Sequence, residues 1–520
     1  MKKLLTFFVS LIFGVALALP EDGLYDLSDN RATERELSKG HLEVPQFSFV
    51  HGPDTLMTTY YDYMIGGYNN SALATIPESH GGGYFCTFHA RPTRYGIRSV
   101  YWAYINCNGV LEQSGMFPGE NIAGYPALAL DQEGANPLYV WHTNGDTDDD
   151  LEVMFAYDRM LNGVPGNLTE PVILIDNPVE IGSTTDNEFI WPEICIGPSP
   201  NPSMRRLYIA AKNITRHGDQ PSENVLIKYA DFDSQMLQNG SELVWSSSSI
   251  PVLDAWNQDL VINRRPFLSM SADNLGNLYY IGYHYAMDID SEVIPEADMD
   301  VFVCPNYGEG EWTHHSFDST LDCWIPVYDD PIWRDGDEND DEEWMWKIAN
   351  SGHFNSMVDN NGRVRALGLW PLFIPNSYQL NLHTVKCYSF NPQDISMQIK
   401  EVYPKGNPEN VAYPHFIPWD VQPPWGEVDE WALSGDEYYP VLQQTIFPFP
   451  YWDETAITDA MIFHYNHLML TNVNSENMMV ALWQDSQRAR HAWLEPDVYP
   501  EDLAYQNSPE IVIATSADGG

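Results

Sequence analysis

The chain is built on one recurring phrase: a proline, an alternating apolar strand, a polar turn, then a second apolar strand rich in Tyr and Trp. It reads YPALALDQEGANPLYVWH from Tyr125 and WPEICIGPSPNPSMRRLYIAAK from Trp191. It reads RPFLSMSADNLGNLYYIGYHY from Arg265 and GHFNSMVDNNGRVRALGLW from Gly352. A looser copy is NHLMLTNVNSENMMVALWQD from Asn466, and SPEIVIATSADGG follows from Ser508. Repetition at this spacing constrains architecture before any other property of the sequence.

Each copy is physically a hairpin. Apolar Leu268, Met270 and Ala272 alternate with small polar residues, the period-two signature of a strand with one buried face. The turns hold Asp, Asn and Gly, as in Asp273-Asn274-Leu275-Gly276-Asn277 and Asp359-Asn360-Asn361-Gly362, and these tolerate positive φ. Pro126, Pro192, Pro266 and Pro509 are expected just ahead of the first strand, where no ladder donor is lost. Third strands are expected at Asp150–Met154, Asn224–Ile227 and Asp300–Val303. With a fourth, outer strand each unit becomes a blade, and the fold class is all-β, a β-propeller of four-stranded blades.

Copies start near residues 83, 126, 192, 266, 353, 467 and 509, which points to seven blades, with six and eight within the range. The last copy offers one strand and a turn. Strands near Phe47–Val50 and Thr58–Ile65 are expected to complete it, because closure removes sheet edges.

Residues 1–18 read as a signal peptide: Lys2 and Lys3, an apolar run from Leu4, and the small-x-small site Ala16-Leu17-Ala18. The short run with paired Lys suits bacterial export, to the outside or the cell surface. Residues 19–40 are a polar, extended lead-in, and 41–520 hold the propeller with long inter-strand insertions. No later stretch is apolar enough to insert in a membrane.

The formal net charge is -49, from 74 acidic and 25 basic residues. That disfavours nucleic acid, whose phosphates need a basic surface, and favours solubility and cations. Asp146, Asp148 and Asp150 form one acidic run, and Asp335, Asp337, Asn339 and Asp341 another. Hard oxygen ligands at alternate positions suit Ca2+, the one cofactor these runs indicate. The second run lacks the Gly and the final Glu of an EF-hand, and solvated loops explain both runs as well. A further acidic stretch runs from Asp288 to Asp300. His314-His315 and His464/His467 are weak metal candidates, since residues i and i+3 of a strand face opposite ways. No nucleotide loop, haem motif, zinc spacing or nucleophile elbow occurs.

Six Cys allow 15 pairings, and proximity along the chain favours Cys86–Cys107 and Cys304–Cys323. Asn-x-Ser/Thr sequons occur at Asn69, Asn167, Asn213 and Asn239.

Ser516-Ala517-Asp518-Gly519-Gly520 resembles the opening of an Asp-box, the S-x-D-x-G turn of sialidase-type propellers. Ser271–Gly276 is a looser relative, and Asp131 and Asp359 hold the same turn in other copies. At the level of architecture, residues 80–520 thus resemble the sialidase-like propeller superfamily. The resemblance implies the fold, with the box as a structural turn rather than a catalytic one. It makes Asp273 and Asp518 blade parts. The Arg-Ile-Pro segment of sialidases is absent, and Arg265-Pro266 belongs to the repeat.

Tyr139, Trp141, Tyr279, Tyr280 and Trp370 fall at strand positions where packing explains them. Trp419, Trp425 and Trp431 lie instead in a Pro- and Trp-rich insertion, where flat rings suit stacking on sugars. No catalytic constellation is identifiable. The expected function is a secreted or cell-surface binding module for an extracellular glycan or protein. The alternatives are a secreted glycoside hydrolase or lyase using paired carboxylates, and a Ca2+-stabilised component of an extracellular layer.

Overall fold

A computed structural model describes residues 55–60, 72–119, 121–144, 150–181, 184–213, 216–217, 220–221, 224–258, 268–287 and 293–318. It further describes 321–322, 345–346, 348, 355–374, 377–403, 428–434, 437–442, 468–474, 476–485 and 510–516. All belong to one unit, His51–Gly520. The signal and lead-in expected at 1–40 lie outside the described residues.

The alternating segments form six antiparallel blades arranged in a ring, a β-propeller. Blade one runs outward through Leu73–Thr75, Tyr84–Ala90, Ser99–Ile105 and Leu111–Met116. Blade two comprises Ala123–Leu130, Pro137–Thr143, Glu152–Tyr157 and Val172–Ile175. Blade three comprises Phe189–Pro198, Arg205–Asn213, Val225–Phe232 and Ser246–Ser249. Blade four comprises Leu268–Ala272, Leu278–Met287, Val293–Cys304 and Thr313–Asp318. Blade five holds Ser356–Val358, Val364–Ile374, Ser377–Asn391 and Ser396–Tyr403. Its long second strand also pairs Met345–Trp346, which in turn pairs Leu321–Asp322. Blade six has three described strands, Met469–Leu470, Met479–Asp485 and Glu510–Ser516.

Three sequence expectations change. The segment from Ser508 starts no seventh blade: Glu510–Ser516 pairs Met479–Asp485 as the third strand of blade six. The count is therefore six. The copy placed near residue 83 is the second strand of blade one, and Leu73–Thr75 is its inner strand. Finally, Pro126 and Pro192 sit inside their strands, at register shifts between Gly124 and Ala127 and between Ile190 and Glu193. A bulge removes a ladder hydrogen bond, so a residue without N–H is tolerated there. Residues 55–60 form no strand, and Phe47–Val50 and 61–65 lie outside the described residues.

The hairpin turns behave as expected. Asp273 accepts the backbone N–H of Leu275 and Asn277 and the Tyr279 hydroxyl. Asp359 accepts the N–H of Asn361 and Arg363 and the Arg365 guanidinium. Asp131 accepts from Glu133 and Gly134. Each carboxylate closes its own turn. The Asp518 turn and Arg265 lie outside the described residues.

Blade faces supply the core. Phe85, Trp102, Tyr139 and Trp141 pack between blades one and two. Leu138, Phe155, Ile209 and Phe232 pack between two and three, and Tyr208, Ile227, Tyr280 and Phe302 between three and four.

A second device joins the blades. An inner strand leaves one row of N–H groups unpaired within its own sheet, and each buried one needs an acceptor. At five successive boundaries a side chain of one blade accepts such an N–H from the inner strand of the next. His89 Nδ1 takes Tyr125 N–H at 2.9 Å, and His142 Nδ1 takes Trp191 N–H at 3.4 Å. Glu193 Oε2 takes Met270 N–H at 3.0 Å, and Ser269 Oγ takes Ser356 N–H at 2.8 Å. Asn355 Oδ1 takes Leu470 N–H at 2.8 Å, while its amide donates to Leu470 O.

Candidate functional site at the channel mouth

The hairpin turns occupy one end of the ring. The longest insertions join outer strands to the next inner strand, so they leave from the opposite end, where the inner strands begin. We call that end the mouth of the central channel.

At the mouth, blades two and three repeat one construction. Tyr125 and Trp191 each precede the bulge proline, and each has φ of 50°. A bulky residue in that left-handed region costs about 1–3 kcal/mol, so the surroundings must hold it there. The bulge frees the aromatic residue's N–H from the ladder, and the histidine of the preceding blade accepts it. His89 and His142 are equivalent, each the second-last residue of its blade's second strand. Both imidazoles are buried, whereas Tyr125 and Trp191 are partly exposed.

The Tyr125 ring is boxed in. The His89 ring meets it edge-on at 4.9 Å and the His142 ring at 4.9 Å on a tilt. The Arg98 guanidinium lies 5.0 Å from its centroid and donates to Ala123 O at 2.9 Å. Gly124 makes room for this: a β-carbon there would stand 2.7 Å from Arg98 Cζ. The glycine therefore lets a loop of blade one lay its cation across the inner strand of blade two.

An imidazole that accepts at Nδ1 is neutral and carries its proton on Nε2. Burial holds His142 well below the ordinary histidine range, and the nearby Arg98 and His89 push the same way. The unfolded chain then binds this proton more readily than the folded one. Stability from His142 is full above about pH 7 and falls as pH drops through about 6.5, by at most about 1.4 kcal/mol per pH unit. His315, also lowered by burial and by His314, adds in the same direction. Asp158 and Asp254, raised by burial, act oppositely, their contribution being lost as pH rises. Urea unfolding across the window above about pH 5.5 should show this slope, and His142→Asn, which keeps an acceptor without titrating, should flatten it. An equal slope in the variant would refute the assignment.

Blade three departs from the pattern. Lys212 takes the histidine's place opposite the bulge, and its ammonium pairs with Glu193 at 2.6 Å, both side chains buried. Glu152, on the third strand of blade two opposite Thr143, is fully buried as well.

The residues singled out in the sequence fall elsewhere. Asp146, Asp148, Asp335, Asp337, Asn339, Asp341, Trp419, Trp425, Cys323, His464 and His467 lie outside the described residues. Asp150 is partly exposed, two residues before the third strand of blade two. Among the described residues no group of three or more His, Cys, Asp or Glu is placed to hold a metal ion. Trp431 sits opposite Pro440 in a two-stranded hairpin, Val428–Ser434 with Glu437–Leu442, that is separate from the blades. Asp300 binds His314 at 2.5 Å and Ser316 at 3.2 Å within blade four. Asn213 is buried and donates to Asn187 and Asn224, so that sequon is closed to modification.

The Cys86–Cys107 bridge is not formed. Cys86 is buried opposite Ala103, whereas Cys107 lies in the turn beyond Ile105, against Gly82, and both thiols are free. Strand register, rather than closeness along the chain, decides the pairing. Cys304 is buried and free, with its thiol 3.1 Å from Gly310 O.

The mouth residues His89, Arg98, Tyr125, His142 and Trp191 were not among those singled out. One signal for them was present: an aromatic residue directly before the repeat's proline in two successive copies.

No protein-family model matches the chain, and no curated protein matches it. Solved structures do. The NanB sialidase from Streptococcus pneumoniae is similar at 8% identity, over 83% of this chain and 67% of that one, with a TM-score of 0.39. A thermostable family-43 glycoside hydrolase is similar at 12% identity, over 64% and 93%, with a TM-score of 0.32. The Hadza microbial sialidase Hz136 is similar at 10% identity over 62% of this chain, with a TM-score of 0.32, and the match spans 58% of that sialidase.

Proposed function

We propose that the chain is an exported propeller that binds carbohydrate at its channel mouth without cleaving it. One observation carries the reading: Tyr125 and Trp191 are partly exposed, strained into left-handed backbone, and braced by buried histidines. Strain maintained by dedicated partners gathers at sites where a side chain must be presented. The partly exposed Trp191 ring suits a sugar, which offers an apolar face and a rim of hydroxyls, and the enclosed Tyr125 with Arg98 borders it on the neighbouring blade.

The carboxylates on these strands favour binding over hydrolysis. Glu152 is buried, and Glu193 is committed to Lys212 and to the Met270 N–H. A glycosidase needs two carboxyl groups that reach the scissile bond.

A glycan array with parallel product analysis tests the reading. Binding without new reducing ends is expected, and Trp191→Leu should weaken it at least about tenfold, the equivalent of about 1.4 kcal/mol. New reducing ends would assign a hydrolase instead. Unchanged binding by the variant would remove the mouth from consideration.

A further inference from the structure

The blade boundaries share one device, an acceptor on one blade that takes an inner-strand N–H of the next, but the acceptors differ in chemistry. Ser269 and Asn355 accept in the same way at any working pH. The residues they hold, Ser356 and Leu470, are not among those with positive φ. His89 and His142 accept only while neutral, because protonation turns Nδ1 into a donor facing another donor. These two titrating acceptors hold the two left-handed residues, Tyr125 and Trp191.

The surroundings tie the closed form to the neutral ring. Both imidazoles are buried, and the groups that bear on His142 are the Arg98 guanidinium and His89. The other charged groups described at this end are Arg91, which donates to Tyr60 O, Glu188, which takes Leu151 N–H, and the Lys212–Glu193 pair. Glu152 stands opposite Thr143, and Asp150 lies two residues before it. Burial beside a guanidinium opposes a proton on the closed ring. An imidazole turned out into water takes one up at its ordinary value of about 6.5.

We propose that His89 and His142 are acid-operated latches: as pH falls below neutrality they let go of Tyr125 and Trp191, and the mouth loses its braced aromatic pair while the ring of blades stays closed. The latches lie at the site proposed above but rest on the brace alone, whatever the ligand is. Without its acceptor, the left-handed backbone of each aromatic residue is no longer held. A ligand bound through the Trp191 ring is then released in acid. Linkage sets the size: with one proton taken up per opening, the open fraction rises up to about tenfold for each pH unit below about 6.5.

Hydrogen exchange of single amides, read by mass spectrometry and corrected for the intrinsic rate, measures each opening separately. The range runs from about pH 7.5 down to the limit at which far-UV circular dichroism is unchanged. Expected is a loss of protection at Tyr125 and Trp191 of up to about tenfold per pH unit, with Ser356 and Leu470 unchanged as controls inside the same molecule. His142→Asn keeps an acceptor that does not titrate, so it should flatten the Trp191 profile and leave the Tyr125 profile, set by His89, steep. His89→Asn should do the reverse. Protection at Tyr125 and Trp191 that is independent of pH overturns the latches, and the parent chain alone decides this. Equal slopes at all four amides would report opening of the whole ring and overturn them as well, as would a Trp191 slope that survives in folded His142→Asn. No readout involves a sugar, so a failure of carbohydrate binding leaves the latches standing.

Discussion

Lys212→Met should destabilise the propeller by about 3–5 kcal/mol, measured as a fall in the urea midpoint without a change in slope. The ammonium of Lys212 lies 2.6 Å from Glu193, and both side chains are almost fully covered. Met matches the apolar stem, so little packing is lost and the change isolates the charge. What remains is a buried carboxylate without its cation, on a strand that also holds Met270 N–H. Desolvation of an unpaired carboxylate costs far more than the pair contributes, which is why removal of one partner exceeds the net worth of both. The double variant with Glu193→Gln should recover most of the loss. A glutamine carbonyl still accepts the Met270 N–H and carries no charge. If the double variant were as unstable as the single one, the effect would be packing at Lys212 and not the stranded charge.

The architecture was readable because two short-range signals agree. Alternation and turn chemistry both report local backbone, and they locate the second strands at Tyr139–Trp141 and Tyr279–Tyr280 and the turns at Asp273 and Asp359 correctly. Blade membership is less local. Glu510–Ser516 has the apolar alternation of an inner strand, and only its partner, Met479–Asp485, makes it a third strand. Blade one was misplaced for a similar reason. Its inner strand is three residues long, and the turn that follows, with Gly81, Gly82 and Gly83, lacks the Asp or Asn of the other copies.

The mouth was less legible because it is made between copies. Nothing local to His89 announces that its ring will meet Tyr125, a residue 36 positions away. Reading each proline as a strand start concealed the bulge, and with it the aromatic residue's freed N–H. Glycine carries information here only through space: Gly124 is required by Arg98, which arrives from another blade. Acidic clusters and Trp-rich insertions attract notice as strings of one residue type. The mouth is a set of single residues, one or two per strand, whose meaning depends on the ring that assembles them.

Asp158→Ala should cost about 3–6 kcal/mol, because three backbone donors lose one acceptor at a single site. The carboxylate is fully buried and accepts from Met160 at 2.9 Å, Gly166 at 2.5 Å and Asn167 at 3.1 Å. It thereby closes the loop between the third and fourth strands of blade two, in which Met160 and Asn162 hold φ of 48° and 57°. Alanine leaves those N–H groups unpaired and the left-handed residues unsupported. Asp158→Asn should be much milder. Burial pushes the Asp158 carboxyl above the usual range, even though the three N–H groups pull it down, so carrying the charge costs stability at neutral pH. The sign follows from linkage: a raised folded value means stability present at acidic pH and lost as pH rises through that value. Asparagine keeps one acceptor oxygen, avoids the buried charge, and gives up about one hydrogen bond. Its melting curve should therefore lie far closer to the parent than that of alanine, with the gap to the parent narrowing as pH rises above the ordinary aspartate value of about 3.9. Equal losses for alanine and asparagine would mean that the negative charge itself holds the loop, and that the N–H groups outweigh burial.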